Sequence, residues 1–273
     1  MTAPWDSAPH PTSARLTVMG WIKVVVRGTL IISIIALGLV LLLAMRLFEA
    51  PLCGLRRPVT PWITQTVCRM SLLVMGLSYR PRGKPSSQSG VVVANHSSWL
   101  DIFALNAGQR IFFVAKSEVA GWPGIGWLAR ATGTVFVERR RGAAAEQVAD
   151  FKRRVRAGQQ LLFFPEGTST DGFDVLDFKP TLFAAFVSDE FEDLTIQPVS
   201  VIFHAPGKSD KRFYGWWGDM ELAPHLISTL GAPRGGSVDV IYHDPVRVRD
   251  FEDRKTLAQV LHRRVRDGVL SRR

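Results

Sequence analysis

Cysteine is scarce in this chain: Cys53 and Cys68 are the two among 273 residues. Both lie in an apolar amino-terminal part of the chain, where a reduced, buried thiol is expected rather than a disulfide or a metal ligand. Cysteine and histidine do not cluster with metal-ligand spacing, so we predict no metal and no cofactor. A G-x-S-x-G segment is also lacking, which argues against a hydrolase with a serine nucleophile elbow. No internal repeat is visible.

Acidic residues are outnumbered, with 24 Asp and Glu against 34 Lys and Arg, giving a formal net charge of +10. Such a chain is expected to have an anionic partner. Nucleic acid, acidic phospholipid and an acidic carrier protein all fit that description. The apolar segment near the amino terminus favours a membrane bilayer and no nucleic acid.

The first 80 residues predict a membrane anchor. Residues 1–20 are polar and proline-rich without a signal-peptide cleavage site, and predict a disordered tail. Gly28–Met45 follows, with 18 uncharged residues between Arg27 and Arg46, which is long enough to span a bilayer. A core or re-entrant helix is the alternative. Pro61–Tyr79 predicts an interfacial helix packed beside the first one, and the flanking basic residues leave the orientation open.

A Pro/Gly/Ser-rich linker, Pro81–Gly90, marks the predicted boundary between a membrane-anchoring helical segment, residues 21–80, and a catalytic domain, residues 81–273. Short apolar runs then alternate with helical patterns, which indicates an α/β fold with a mixed sheet flanked by helices. The predicted helices are Ala143–Ala157 and Thr181–Ser188. The predicted strands are Val91–Ala94, Ile111–Ala115, Thr134–Val137, Gln160–Phe164, Ile196–Phe203 and Val238–Tyr242.

The segment Val91–Ile102, VVVANHSSWLDI, carries the main chemical signal. An apolar strand runs into His96 at a strand-to-helix corner, and Asp101 follows five residues later inside the predicted helix. A carboxylate on one ring nitrogen would fix the tautomer and leave the other nitrogen to take a proton from a hydroxyl. This pair predicts a general base that needs no serine nucleophile. A capping aspartate beside an unrelated histidine is the alternative.

Two further strands end in polar turns. GTVFVERRR, Gly133–Arg141, places Arg139 where a guanidinium can bind phosphate or carboxylate, unless it is a solvated or lipid-facing charge. FPEGTSTDG, Phe164–Gly172, holds Glu166 in a tight turn, where it binds a ligand or caps nearby amides. Ligands bind at strand ends in α/β sheets.

The ordered segments NHSSWLD, GTVFVER, FPEGTS and IQPVSV, residues 95–201, resemble the four motifs of the glycerolipid acyltransferase superfamily. By that resemblance His96 is the general base and Asp101 its orienting carboxylate. Gly133, Phe136 and Arg139 are then part of the wall that binds the acyl acceptor. The same resemblance assigns Glu166, Gly167 and Thr168 to acceptor binding and ends the fourth motif near the acyl donor at Pro198.

The third motif departs from the family pattern at Ser169, where phosphate-specific relatives have arginine. Ser117–Arg130, the TSTDG continuation and Trp216–His225 are similar to the bacterial lyso-ornithine lipid acyltransferases, whose acceptors carry no phosphate. The resemblance therefore implies acyl transfer to lyso-ornithine lipid. Because other cations, including Lys116 and Lys179, could bind phosphate, a 1-acylglycerol-3-phosphate acyltransferase stays open.

The resemblance also implies the partners and the location. Acyl carrier protein or acyl-coenzyme A donates the acyl group, a lysolipid accepts it, and the active site faces the cytoplasm at the bacterial inner membrane. The remaining alternative is a lipid-binding membrane protein without enzymatic activity. Five tryptophans of the catalytic part are expected to include residues of a rim at the lipid interface: Trp99, Trp122, Trp127, Trp216 and Trp217.

Overall fold

The computed structural model describes residues 9–11, 16–88, 90–137, 144–184, 186, 193–232 and 235–272, with the side chains of residues 144 and 145 excepted. The fold is a mixed sheet flanked by helices, preceded by a long apolar helix, and it confirms the predicted fold class. Residues 138–143, which include Arg139, lie outside the described part.

Helix α1, Val18–Cys53, is long and apolar enough to cross a membrane by length and composition. It begins after Thr17, whose hydroxyl accepts a hydrogen bond from the Gly20 amide, and it contains the predicted span Gly28–Met45. Helix α2, Thr60–Met75, packs against it. The two helices are joined by the buried carboxylate of Glu49, which accepts hydrogen bonds from the Val59 and Thr60 amides at the start of α2.

The sheet has the strand order β1-β7-β6-β2-β5-β3-β4, and β8 pairs with β6. Two pairings are antiparallel, that of β6 with β7 and that of β6 with β8. All other neighbouring strands in the sheet are parallel. The strands are β1 Ser78–Arg82, β2 Gly90–Ala94, β3 Phe112–Lys116, β4 Val135–Val137, β5 Gln160–Phe163, β6 Thr195–His204, β7 Ser237–Tyr242 and β8 Val246–Arg247.

Two apolar clusters sandwich the sheet because side chains alternate along each strand. On β2, Val91 and Val93 face a cluster that includes residues of α5 and α7, while Val92 and Ala94 face one that includes residues of α2 and α3. The described part holds five further helices: α3 Asp101–Gly108, α4 Ile125–Thr132, α5 Ala144–Arg156, α6 Leu222–Gly231 and α7 Arg254–Leu270.

Helix α2 differs from the interfacial helix expected over Pro61–Tyr79. It ends at Met75 because Gly76 adopts a left-handed conformation with φ 74°, and Tyr79 lies in β1. Its inner face belongs to the core of the sheet domain, since Cys68, Leu72 and Met75 are buried beside β2. Both cysteines are free.

Strand β1 crosses the predicted boundary between residues 80 and 81, so part of the Pro81–Gly90 linker is paired with β7. The division into domains stays a prediction. The helix predicted over Thr181–Ser188 is, in the described residues, a short 3-10 turn at Pro180–Phe183, with Phe183 and Phe186 buried in the core. Trp217 is 1% exposed and packs inside the protein, whereas Trp122 and Trp127 are exposed. A rim at the lipid interface stays a prediction.

Candidate active site

The structure brings His96 and Asp101 together at the carboxyl end of β2. Asp101 is the first residue of α3, and its Oδ2 atom lies 2.7 Å from His96 Nδ1. The same oxygen accepts hydrogen bonds from the Ser97 and Ser98 amides at 2.9 and 3.0 Å. The aspartate side chain therefore caps the corner and binds the histidine, so the two roles considered from sequence coexist.

The hydrogen bond fixes the histidine tautomer. An ionised carboxylate only accepts hydrogen bonds, so Nδ1 carries the proton of a neutral imidazole and Nε2 carries a lone pair. The ring stacks on Phe164 with centroids 4.1 Å apart and an interplanar angle of 14°. No described residue donates to or accepts from Nε2, and the side chain is 22% exposed. This atom can thus accept a proton from a bound hydroxyl.

Glu166 lies at the carboxyl end of β5, the strand next to β2. Its carboxylate accepts hydrogen bonds from the His96 amide at 2.6 Å and the Leu176 amide at 2.8 Å. The side chain is 1% exposed. Burial raises the pKa of Glu166 to about 8, and nearby Asp101 and Asp174 act in the same direction, while the two amides lower it. Glu166 ties the third motif to the backbone of the histidine.

Three more contacts hold the loop that carries His96. The Thr170 amide donates to the His96 carbonyl at 3.0 Å, and the Trp216 amide donates to the Ser97 carbonyl at 2.8 Å. The buried Asn95 side chain exchanges two hydrogen bonds with the backbone of Val201 in β6. The loop is therefore fixed from both neighbouring strands and from the segment before α6.

His225 in α6 positions the aromatic residue of the same loop. Its Nδ1 accepts a hydrogen bond from Trp99 Nε1 at 2.9 Å, and its Nε2 lies 3.2 Å from the Phe213 carbonyl. Burial lowers the pKa of His225 to about 4, against smaller opposing contributions from backbone carbonyls. The ring is therefore neutral near pH 7, with its proton on Nε2 facing Phe213.

The turn after β5 contains Gly167, Thr168 and Ser169. Gly167 has φ 73°, and a Cβ atom there would lie 2.6 Å from Lys179 Nζ. The Lys179 ammonium thus lies beside this turn, and its Nζ has no hydrogen bond or ion pair with another described residue. Thr168 Oγ1 donates weakly to the Ser169 carbonyl at 3.5 Å. The turn has a nearby cation although Ser169 replaces the expected arginine.

The second motif is only partly brought to this site. Gly133 ends α4 with φ 91°, close to Arg57 and Phe112. The register of β4, β3, β5 and β2 places Gly133 at the amino ends of these strands, whereas His96 follows the carboxyl end of β2. Phe136 lies within β4 with the Arg130 guanidinium 5.7 Å from its ring centroid. Arg139 lies outside the described residues, so its predicted contact with the acceptor stays a prediction.

Sequence reasoning missed Asn95 and His225 as supports of the loop. Asn95 immediately precedes the histidine and is polar at the end of an apolar strand, which is a usable signal. His225 lies 126 residues from Trp99, and only the folded chain shows their contact. Both Glu166 oxygens accept backbone hydrogen bonds, as the capping alternative expects, and a role of Glu166 in acceptor binding stays a prediction.

The chain combines a mixed sheet flanked by helices with a His96–Asp101 pair at the carboxyl end of β2. Residues 72–202 match the acyltransferase family, and the chain belongs to this family and is an acyltransferase. It is 50% identical over 271 residues to a lyso-ornithine lipid O-acyltransferase of Rhodobacter capsulatus, covering 98% of each chain.

Two further comparisons agree with this assignment. A lyso-ornithine lipid O-acyltransferase of Brucella abortus is 36% identical over 247 residues, or 86% of this chain and 90% of that protein. The crystal structure of a 1-acyl-sn-glycerophosphate acyltransferase from Thermotoga maritima superposes with a TM-score of 0.65 over 92% of this chain and 97% of the other. At 22% sequence identity, this likeness supports the fold.

Proposed function

We propose that this enzyme transfers a fatty acyl group from an acyl thioester to the free hydroxyl of lyso-ornithine lipid. The observation that carries the reaction type is the His96 ring, whose Nδ1 lies 2.7 Å from Asp101 and whose Nε2 is free to accept a proton. The acceptor is proposed from the near full-length similarity to lyso-ornithine lipid O-acyltransferases.

The proposed mechanism uses one proton acceptor and no covalent enzyme intermediate. His96 Nε2 takes the proton of the acceptor hydroxyl as its oxygen attacks the thioester carbonyl carbon. An ester C–O bond forms, the C–S bond breaks, and the imidazolium returns the proton to the departing thiolate. Asp101 stabilises the imidazolium between these steps, and Glu166 and Thr170 hold the His96 backbone in place.

Ser169 supports an acceptor without phosphate. An arginine at this position would offer two parallel hydrogen bonds to a phosphate, a contact of about 1.5–3 kcal/mol. A serine hydroxyl offers neither the charge nor the planar geometry. The head group of lyso-ornithine lipid lacks a phosphate and has an amino group, which an additional arginine would repel.

Acyl transfer to 1-acylglycerol-3-phosphate is the second candidate, and one observation favours it. Lys179 Nζ lies beside the Gly167 turn, so a cation is present near the position where Ser169 removes one. A lysine binds phosphate as a point charge rather than as a fork. Both candidate reactions use the His96–Asp101 pair, and they differ in the head group that the turn after β5 accepts.

The same proposal includes the donor and the membrane. Acyl carrier protein and acyl-coenzyme A are both anionic, and the net charge of +10 suits either one. Helix α1 presents exposed apolar side chains along its length, such as Val25, Leu37 and Phe48. We infer that this helix attaches the enzyme to the bacterial inner membrane. The His96–Asp101 pair then faces the cytoplasm, where acyl thioesters are made.

The test offers purified enzyme the same acyl thioester with lyso-ornithine lipid and with lysophosphatidate in parallel. We expect a kcat/KM at least tenfold higher for lyso-ornithine lipid. A higher value for lysophosphatidate would replace the proposed acceptor with the second candidate. Absence of transfer to either acceptor, with acyl carrier protein and with coenzyme A as carriers, would contradict the proposed function.

A further inference from the structure

A groove of about 740 Å³ lies away from the candidate active site. It is lined by the segments that precede β2, β3 and β5, represented by Ser86, Arg110 and Gln159. Because these strands are parallel, the groove lies at their amino ends, whereas His96 follows the carboxyl end of β2. The five residues of β2 separate the two edges by roughly 13 Å at about 3.3 Å per residue.

Four arginines line this groove, and no aspartate or glutamate does: Arg56, Arg57, Arg69 and Arg110. Within the described ranges, none of the four forms an ion pair with a carboxylate. Glu49, the acid that acts on Arg57 electrostatically, already accepts hydrogen bonds from Arg46, Val59 and Thr60. The positive charge of the groove is therefore not compensated by the protein.

Neutral contacts hold three of these guanidinium groups. Arg57 Nη1 donates to the Ala131 carbonyl at 3.1 Å, and Arg69 Nε donates to the Ala107 carbonyl at 2.6 Å. The Arg110 guanidinium lies over the Trp62 ring, 3.9 Å from its centroid. Each group keeps several of its five N–H donors unused, so the arginines are positioned to donate to an oxyanion.

The uncompensated positive charge affects the pKa of Arg57. Burial, together with repulsion from Arg46 and Arg154, lowers the pKa of Arg57 to about 10, and Glu49 offsets only part of this. A bound anion would favour the charged form and relieve that repulsion.

The surroundings of the groove are those of a lipid rather than of a free anion. Arg69 also lines a second cavity of about 420 Å³, together with apolar residues that include Leu72, Leu73 and Leu77. Trp62, which lines the arginine groove, is 54% exposed. A phosphate ion would contact the arginines alone, whereas a lipid also covers the adjoining apolar surface.

We propose that this groove binds an anionic phospholipid. The lipid phosphate contacts Arg57, Arg69 and Arg110, and an acyl chain covers the apolar cavity that shares Arg69. The bound lipid is not the acyl acceptor, since the groove lies at the opposite edge of the sheet from His96.

The test measures thermal melting of the full-length protein in detergent. The additives are dihexanoyl phosphatidylglycerol, dihexanoyl phosphatidylcholine and inorganic phosphate, each over a concentration series. A ligand that binds the folded state stabilises it by RT ln(1 + [L]/Kd), so Tm continues to rise as the ligand concentration exceeds Kd. We expect phosphatidylglycerol to raise Tm at concentrations at least tenfold lower than either other additive.

Arginine variants locate the effect. Arg57→Gln and, separately, the exposed Arg110→Gln are expected to weaken the phosphatidylglycerol response about tenfold. Arg263→Gln removes the same charge from an exposed position on α7 and is expected to respond like wild type. Arg110→Gln alone decides the matter if Arg57→Gln does not fold, because the Arg110 side chain is at the surface.

Three results would overturn the proposal. Equal responses to phosphatidylglycerol and phosphatidylcholine would show no recognition of the anionic head group. Equal responses to phosphatidylglycerol and inorganic phosphate would show a free-anion site instead of a lipid site. An unchanged response in Arg110→Gln, or an equal loss in Arg263→Gln, would show that the arginines of the groove are not the binding site.

Discussion

At the scale of single residues, one buried glutamate links the third motif to the histidine. Both Glu166 oxygens accept backbone hydrogen bonds, one of them from His96 itself. The acid therefore helps to hold the His96 backbone in place, and its protonation is coupled to folding. This coupling gives a prediction about stability that is independent of any activity assay.

Burial raises the pKa of Glu166 from its ordinary value near 4.5 to about 8. A raised carboxyl pKa contributes stability that is fully present below about pH 4.5 and is lost as the pH rises through about 8. We expect the free energy of unfolding of the wild type to fall relative to that of Glu166→Gln across this window by on the order of a few kcal/mol, which lowers its relative Tm. Parallel Tm profiles of the two proteins between pH 4.5 and 8.5 would contradict the assignment.

The turn after β5 yields a prediction about head-group choice. Ser169→Arg adds a guanidinium and is expected to shift the ratio of kcat/KM toward lysophosphatidate by about tenfold, or 1.4 kcal/mol. Lys179→Gln removes the ammonium beside Gly167 and is expected to shift the ratio in the opposite direction.

The measurement is kcat/KM for lyso-ornithine lipid and for lysophosphatidate with each variant. Arg263→Gln, which removes a charge from an exposed position on α7, serves as a control. If the ratio is the same in Ser169→Arg, Lys179→Gln and wild type, selection of the head group lies elsewhere in the protein.

At the scale of elements, two glycines of α1 have different surroundings. A Cβ atom on Gly38 would lie 2.3 Å from Val67 Cγ2 in α2, whereas one on Gly28 would lie 3.7 Å from Leu230 Cδ1 in α6. Gly38 therefore permits the close approach of α1 and α2, and Gly28 does not have a steric requirement of this kind.

Substitution by alanine separates these cases. Gly38→Ala is expected to destabilise the protein by about 1–3 kcal/mol because the helices must move apart. Gly28→Ala is expected to leave stability unchanged or to raise it by up to about 1 kcal/mol through helix propensity. Melting of both variants in the same detergent is the measurement, and equal Tm changes would refute close packing at Gly38.

The elements also show what a sequence can and cannot predict. The central strands β2, β5 and β6 are apolar on both faces, so their positions follow from composition. Strand β1, SYRPR, was missed because it is polar, contains Pro81 and lies at the sheet edge.

The His96–Asp101 pair was predictable from a local spacing, since a corner between strand and helix is a short-range feature. Its supports were not, because Glu166, Val201 and His225 lie 70 to more than 100 residues away from their partners. Pairing of that kind is set by the order of strands in the sheet. Gly133 is a motif residue that does not lie beside the His96–Asp101 pair, because it ends α4 in a left-handed conformation before β4.

At the scale of the whole molecule, α1 is held along the side of the sheet domain. Near its start, Arg27 donates to the Leu230 and Ala232 carbonyls at the end of α6. Near its end, Glu49 binds the start of α2. A helix of 36 residues is about 54 Å long, so its contacts place the sheet domain close to any membrane that the helix binds.

The exposed side of α1 should carry the membrane attachment. Leu37, Val40 and Leu41 are all more than half exposed, so their joint replacement by glutamine is expected to release the protein from membranes without unfolding it. Because apolar insertion does not depend on charge, wild type should sediment with membranes in high salt. Sedimentation of the triple variant equal to wild type, in low and high salt, would show that another surface attaches the protein.

The central claim is that His96, oriented by Asp101, is the base for acyl transfer to a lysolipid hydroxyl. Its most direct test is the kcat/KM of His96→Ala against wild type, with lyso-ornithine lipid and one acyl thioester, in protein shown to melt normally. We predict a loss of 10²–10⁴-fold, the usual contribution of a positioned general base. Retention of more than a tenth of the wild-type value would contradict the claim and place the base elsewhere.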